Sequence, residues 1–410
     1  MAAADNCGAG GVKNPVMVRY GELFLKSEPV KYHFIGMLLR NIRRALSAHG
    51  LSAHYETPRG RILIFGDQPE KIAWIVARVF GVVDVSICTR TGSSPEDLTA
   101  AAVTLASKQL TAGMSFAVRA KRQLKTGLTS QELGTLIGSA IYDRVPGLRV
   151  DLNCPEYEIF VEVRDVGGLV YDSRIKAPGG LPLGTQGRVL VLLSAGIDSP
   201  VASWLAMKRG CETSHLYLDA GRWAGCDVTP AATENHRRLS LWCPGYELSM
   251  IIADSEPLFD EMHRLRTPAR YRCVICKRFM HRVAARMMQK EGARAIVTGE
   301  NLGQVASQTL ANLSVISQAV AVPVLRPLIT YDKEETIWLA RRIGTFDPHP
   351  GDLVCRAAPR MPATAAILEE ILKCEQAMEV DRITEQTCES VRFVKAQNGV
   401  ITPTGYHTAL

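Results

Sequence analysis

A chain of 410 residues exceeds one ordinary hydrophobic core and predicts two or three domains. Its 47% hydrophobic share is that of a soluble globular protein, no apolar run is long enough to cross a bilayer, and the opening MAAADNCGAGG has no signal-peptide pattern, which together predict a cytoplasmic protein with a small-residue tail over 1–14. The balance of 48 Lys and Arg against 41 Asp and Glu, net +7, favours a polyanionic partner, and eleven cysteines without a scaffold rhythm point to reduced thiols.

Residues 16–66 read strand, helix, strand, strand. The helix in VKYHFIGMLLRNIRRAL places Phe34, Leu38, Ile42 and Leu46 on one side and shows Lys31, Arg40, Arg43 and Arg44 elsewhere. Residues 69–174 form a second α/β unit: helical PEKIAWIVARVFG, strand SFAVRAKR, a helix opened by the capping box Thr129 to Glu132, and strand YEIFVEVRD. Arg119, Lys121, Arg122 and Lys125 gather where that first strand ends and a helix is about to start. They are either a phosphate-backbone contact or ordinary surface charge.

The Gly- and Pro-rich stretch 176–187 marks a domain boundary. Beyond it strands and helices alternate, which predicts a parallel sheet covered by helices on both faces. In VLVLLSAGIDSPVASWLA a buried strand ends at Leu193, a short loop follows, and Ser199 is expected to cap a helix whose first position is Pro200. Free N–H groups and the helix dipole then make an anion site, with Ser194 and Ser199 adding hydroxyls. The spacing is not that of a Walker loop.

Cys273 and Cys276, in RYRCVICKRFMHR, are metal ligands, a redox pair or small apolar residues at a helix start. Met280, Val283, Ala284, Met287 and Met288 share one face of the helix that follows. The helix start and nearby Arg272, Lys277 and Arg278 are expected to lower the thiol pKa values, and His281 reads as an exposed helix residue. One CxxC cannot complete a four-cysteine zinc site. Cys374 and Cys388 read as packing residues in a polar helical segment.

The loop resembles the S-G-G-x-D-S loop of ATP pyrophosphatases, with Ala195 in place of the first glycine. Five segments occur in one order: RYGELFLKS, FAVRAKRQLKTGLTSQELG, SAGIDSPVASWLAMKRG, VTGENLGQVASQTLANL and VLRPLITYDKEETIWLARRIGT. Together they resemble the tRNA 4-thiouridine synthetase (tRNA sulfurtransferase) family, and the subgroup with a CxxC pair and no rhodanese domain. Some members of the family serve thiamine biosynthesis. The resemblance implies an α/β chain with an N-terminal ferredoxin-like domain (15–68) and a THUMP domain (69–174). A parallel-sheet pyrophosphatase domain (175–375) and a C-terminal tail (376–410) follow. It implies that the first two domains hold the acceptor end of tRNA, through Arg119, Lys121, Arg122 and Lys125 among others, and that the protein is a homodimer.

The implied reaction transfers AMP from ATP, with magnesium, to the 4-oxygen of a uridine, and sulfur then displaces AMP. By resemblance Leu192 and Leu193 line the nucleotide site through backbone, and Ser194, Gly196, Asp198 and Ser199 hold the phosphates. Asp198 holds magnesium or orients the attack. Lys277, Gly299 and Gln308 contact ATP, and Lys333 neutralises charge at the α-phosphate. Cys355 handles sulfur and, with Cys273 and Cys276, is expected to hold a 4Fe–4S cluster whose open iron takes hydrosulfide. Sulfide or a cysteine desulfurase would be the donor. The alternatives are a persulfide on Cys355 resolved by a disulfide, a 2-thiocytidine-type thiolase, and a non-catalytic tRNA-binding protein.

Overall fold

The computed structural model describes residues 14–21, 27–123, 127–224, 227–346, 355 and 357–408. They fall into two compact units, one within residues 1–26 and 45–179, the other within 27–44 and 180–410. The boundary at Gly179 and Gly180 sits inside the expected linker, and both glycines have positive φ, a conformation side chains resist.

In chain order the first elements are β1 (Val16–Tyr20), α1 (Glu28–Ser47), β2 (His54–Glu56), β3 (Ile62–Phe65), α2 (Pro69–Val76) and β4 (Val82–Ile87). Then come β5 (Thr89–Thr91), α3 (Pro95–Gln109), β6 (Ser115–Arg122), α4 (Ser130–Arg144), β7 (Arg149–Val150), β8 (Tyr157–Arg164), β9 (Gly167–Tyr171) and β10 (Ile175–Lys176). The first unit holds two sheets, ordered β10-β4-β1-β3-β2 and β5-β9-β8-β6-β7. Strand β4 pairs antiparallel with β1, Val85 opposite Val18, so it belongs to the first sheet, and the boundary expected at 68/69 falls after β4 instead. Phe34, Leu38, Ile42 and Leu46 of α1 are buried as expected. Residues 27–44 of that helix nevertheless belong to the second unit, where Asn41 Nδ2 donates to Leu183 O (3.0 Å) and accepts at Oδ1 from Tyr246 Oη (2.7 Å).

The second sheet packs α3 and α4 over Phe116, Ile159, Val161 and Val170. Alternation along β8 sends Ile159, Val161 and Val163 into that core and leaves Glu162 on the other face. The α4 capping box forms as read: Glu132 N donates to Thr129 Oγ1 (3.2 Å) and Thr129 N to Glu132 Oε2 (2.7 Å).

The second unit continues with β11 (Arg188–Leu192), α5 (Asp198–Lys208), β12 (Glu212–Asp219), α6 (Thr229–Ser240), β13 (Leu248–Asp254), α7 (Glu256–Arg264), α8 (Arg272–Lys290), β14 (Ile296–Val297), α9 (Leu310–Ser317), β15 (Val324–Leu325) and α10 (Lys333–Ile343). It ends in α11 (Leu368–Ala377), α12 (Val380–Glu389), β16 (Ser390–Gln397) and β17 (Val400–Thr408). The sheet order is β15-β14-β11-β12-β13-β16-β17, parallel as expected through β13. Strand β11 lies inside it and is buried on both faces, which is why RVLVL reads as an apolar run rather than an alternation. The final segment is not a tail. Helix α12 buries Val380, Ile383 and Cys388, and β16 pairs antiparallel with β13 from Leu248–Ala396 to Ala253–Val391. Among the described residues no helix is long and apolar enough to cross a membrane.

Candidate active site

Strand β11 ends at Leu192, and the chain turns through residues 193–197 straight into α5. Leu193 N–H is committed to the sheet, donating to Leu216 O (2.9 Å). Ser199 does not cap the helix. It is the second helical residue, and its Oγ turns back to accept from Ser194 N (2.8 Å) and to meet Ser194 Oγ (2.9 Å). Ser194 Oγ in turn accepts from Gly196 N (3.3 Å), and Asn235 Nδ2 from α6 holds Ser194 O (3.1 Å). The serines thus fasten the loop to the helix start. The first-turn N–H groups of α5 lack intrahelical partners by construction, so the loop presents an anion-attracting end.

Gly299 follows β14 and runs against this helix start. A Cβ built there would lie 2.7 Å from Ser199 N and 2.8 Å from Ser199 Cα, both backbone atoms that cannot swing away. Gly299→Ala should therefore cost about 1–3 kcal/mol through overpacking. It should also displace the loop, seen as a lower unfolding midpoint together with weaker ATP binding by calorimetric titration.

Lys333 is the first residue of α10, fixed there by a second capping box between Asp332 and Glu335. Its Nζ reaches both carboxylate oxygens of Asp198, at 2.9 and 3.2 Å, and Gln304 Nε2 approaches the same carboxylate (3.4 Å). Lys277 Nζ donates to Glu300 (3.0 Å), which also takes Arg326 Nε (2.7 Å) and Thr298 Oγ1 (3.2 Å). Burial pushes the Glu300 carboxyl up, but Lys277 and Arg326 outweigh it and hold the group ionised below its usual range. Gln308 Oε1 and Gln304 Oε1 are buried without a partner among the described residues, a feature that suits ligand recognition. A cleft of about 330 Å³ opens among Gly196, Asp198, Asn235, Arg238, Lys333 and Phe346.

Cys273 and Cys276 lie in the first turns of α8, on a helix that buries Val283, Ala284, Met287 and Met288 as expected. Their thiols are raised, not lowered. Burial pushes Cys276 to about 12 and also raises Cys273, and a thiolate at Cys355 would raise both further, while Lys277 opposes only weakly. Arg278 offers the thiols nothing, being buried and forked onto Glu375 (2.7 and 2.9 Å). His281 is likewise buried, and desolvation lowers it to about 4. Cys355 is exposed, within 3.9 Å of Trp223 O, so its field reaches both α8 cysteines. All three are free thiols. Among the described residues no group of three His, Cys, Asp or Glu is spaced for a single metal ion. Cys273, Cys276 and Cys355 nevertheless bring three soft sulfur donors, the kind an iron–sulfur cluster takes, within electrostatic reach of one another. Cys374 and Cys388 pack on the surrounding core.

In the first unit Arg119 donates to Glu158 (2.8 Å) and Leu152 O (2.7 Å), Arg122 reaches Gly127 O (3.4 Å), and Lys121 is exposed. Lys125 lies outside the described residues. Beside them a groove of about 770 Å³ runs between β6 and α4, lined by Gly134, Gly138, Tyr142 and Leu152.

Sequence reasoning missed Asn235, Arg238, Gln304 and Glu300. The last two sat unread inside the TGENLGQ block, whereas α6, which supplies the others, gave no signal of its own beside the loop.

A serine-fastened loop between an inner parallel strand and a buried helix defines a pyrophosphate-loop α/β protein. The family model described as Thiamine biosynthesis protein (ThiI) matches residues 184–380, a ThiI ferredoxin-like domain matches 15–86, and a THUMP domain matches 92–171. A probable tRNA sulfurtransferase of Methanosarcina mazei is 35% identical over 95% of this chain and 98% of its own length. One of Methanothermobacter thermautotrophicus is 37% identical over 89% and 94%. A crystal structure of a 4-thiouridine synthetase–RNA complex with bound ATP superposes with a TM-score of 0.80, at 30% identity over 93% of this chain and 99% of that one. The chain belongs to the tRNA sulfurtransferase family.

Proposed function

We propose that the protein is an ATP-dependent tRNA uridine 4-sulfurtransferase that makes 4-thiouridine. The observation that carries this reading is the double reach of α8. Its first turns bear Cys273 and Cys276, which the field of Cys355 reaches, and the next residue, Lys277, grips Glu300. Glu300 directly follows Gly299, which abuts the start of the pyrophosphate-loop helix. A nucleotide loop and a thiol set are thereby joined through one helix.

In the activation step the uridine 4-oxygen attacks the α-phosphorus of ATP, the bond to pyrophosphate breaks, and an adenylated base forms. The loop from Ser194 to Ser199, through its N–H groups and the α5 dipole, holds the phosphates, with Gly196 leaving room for close approach. Lys333 neutralises charge growing on the reacting phosphoryl group, and Asp198 orients it. Gly299 gives the loop its bed, and Lys277 and Gln308 face the nucleotide. Magnesium would be held by Asp198 and would shield phosphate charge. In the second step a sulfur nucleophile attacks C4 and AMP leaves with the former oxygen. A 4Fe–4S cluster held by Cys273, Cys276 and Cys355 would supply a site for sulfide. The raised thiols must lose their protons as they bind iron. Exposed Cys355 beside two protonated thiols also suits a second reading, in which a Cys355 persulfide attacks the ring. The Cys355–product S–S bond is then broken by Cys273 or Cys276, leaving a disulfide for a thiol reductant to reopen.

The proposal includes the tRNA acceptor end as the ligand of the first unit, with Arg119, Lys121, Arg122 and Lys125 on its backbone. Sulfide or a desulfurase would be the donor, and the protein a homodimer. The test is anaerobic iron and sulfide loading of wild type and Cys273→Ala, with pyrophosphate release and 4-thiouridine formation measured on tRNA. Loss of iron and of thiolation with pyrophosphate release retained is the expected result. Undiminished thiolation by an iron-free sample would overturn the cluster, and absence of pyrophosphate release would overturn the enzyme.

A further inference from the structure

The cleft at the loop has three sides. One is the segment Ala195 to Asp198, the second is α6 through Glu234, Asn235 and Arg238, and the third is Lys333 of α10 with Thr345 and Phe346 beyond its end. The charges on these walls do not cancel. Lys333 and Asp198 satisfy each other. Glu234 is shared by two arginines, taking Arg237 Nε at 2.6 Å and Nη2 at 2.8 Å, and Arg238 Nε at 2.6 Å. Hydrogen bonds from Arg237, assisted by Arg238, hold its carboxyl at about 2, so it is ionised at neutral pH. The trio Arg237–Glu234–Arg238 therefore keeps one positive charge.

Geometry assigns that charge to one side chain. Arg237 turns its Nη1 to Gly399 O (3.1 Å) and is not part of the cleft wall. Arg238 lines the cleft, held at Nε by Glu234 and at Nη1 by Gly344 O, the residue that ends α10. Its Nη2 has no partner among the described residues. A guanidinium anchored on two edges and open on the third is pre-organised for a phosphate oxygen. Across the cleft stands the other anion-attracting element, the N-terminal end of α5. Thr345 Oγ1, buried and unpartnered, lies on the same rim as Arg238.

We propose that Arg238 binds the two terminal phosphoryl groups of the nucleotide and so clamps the departing pyrophosphate against the loop, with Glu234 as its positioning residue. This rests on the nucleotide reading of the loop and goes beyond it by naming where the triphosphate tail points. Lys333, engaged with Asp198 at the α5 start, serves the reacting phosphorus, and Arg238 serves the leaving group.

The test is calorimetric titration of the full chain with inorganic pyrophosphate and, separately, with AMP, which lacks the terminal phosphates. Arg238→Gln should weaken pyrophosphate binding at least about tenfold, a loss of one charge-assisted bidentate contact. AMP binding should hold within about twofold. Arg238→Lys, which keeps the charge but not the fork, should fall between wild type and Arg238→Gln. Unchanged pyrophosphate affinity in Arg238→Gln would overturn the assignment. So would an equal loss for AMP, which would mark Arg238 as merely a support for the Gly344 corner. Wild type that bound neither ligand would sink the nucleotide reading, and this inference with it.

Discussion

Lys333→Met is expected to slow ATP-dependent pyrophosphate release about 10²- to 10³-fold while leaving the fold intact. The two halves of that expectation have separate causes. Lys333 and Asp198 form a half-exposed ion pair, with side chains 43% and 26% accessible. Pairs of that kind contribute about 0–1 kcal/mol to stability, so the unfolding midpoint should hardly move. The rate effect comes from the reacting group. A fixed donor aimed at developing negative charge is worth about 2.7–4 kcal/mol when removed. The capping box at Asp332 and Glu335 keeps α10 in place without the lysine, so the loss should be chemical rather than positional. Stopped-time measurement of pyrophosphate on saturating tRNA checks it. A variant that kept wild-type rates would remove Lys333 from the mechanism.

Glu162→Ala should be the most damaging substitution in the first unit, costing about 3–5 kcal/mol. Its carboxylate is only 3% exposed and is surrounded by cations: Arg61 at 3.2 Å, Arg164 at 2.7 Å and Arg19 at 3.5 Å, with Tyr171 Oη donating at 3.0 Å. Burial alone would raise its pKa, but Arg61 and Arg164 prevail and bring it to about 2. Removing it leaves Arg61 and Arg164 without this carboxylate and Arg19 with Asp84, Ser86 and the Tyr171 ring. The pH dependence follows the depressed pKa. The stabilisation is complete above the ordinary carboxyl range and drains away as pH falls from about 4.5 towards about 2. Urea unfolding followed by hydrogen exchange at the β8 amides reports this unit. Equal midpoints for wild type and variant would refute the estimate. Nucleotide binding in the second unit should be unaffected.

What was legible in the sequence was local. SFAVRAKR became β6 over its whole length, the Thr129 box formed, and the loop after β11 took the strand–loop–helix form that its residues dictate. What was not legible depended on partners distant in the chain. Nothing in PEKIAWIVARVFG announces that the strand after it pairs with β1, or that residues 27–44 answer to Tyr246 and Leu183. The thiols show the same limit in electrostatic form. The sequence displays Arg272, Lys277 and Arg278 beside Cys273 and Cys276, and counting charges predicts acidic thiols. Burial of Cys276 against a core built from remote segments reverses the sign. Ser199 carried a capping residue's identity, yet its hydroxyl was claimed by Ser194.

The C-terminal hairpin also decides which strand borders the sheet of the second unit. Strand β13, LSMIIAD, is an apolar ribbon that would make an adhesive margin if it bordered the sheet. The β16–β17 hairpin moves the border outward. The border is then β17, and β16, now an interior strand, carries Arg392 and Lys395, the latter paired with Glu247. The hairpin thus acts as a selvedge, taking up the free side of β13 so that this apolar ribbon lies inside the sheet.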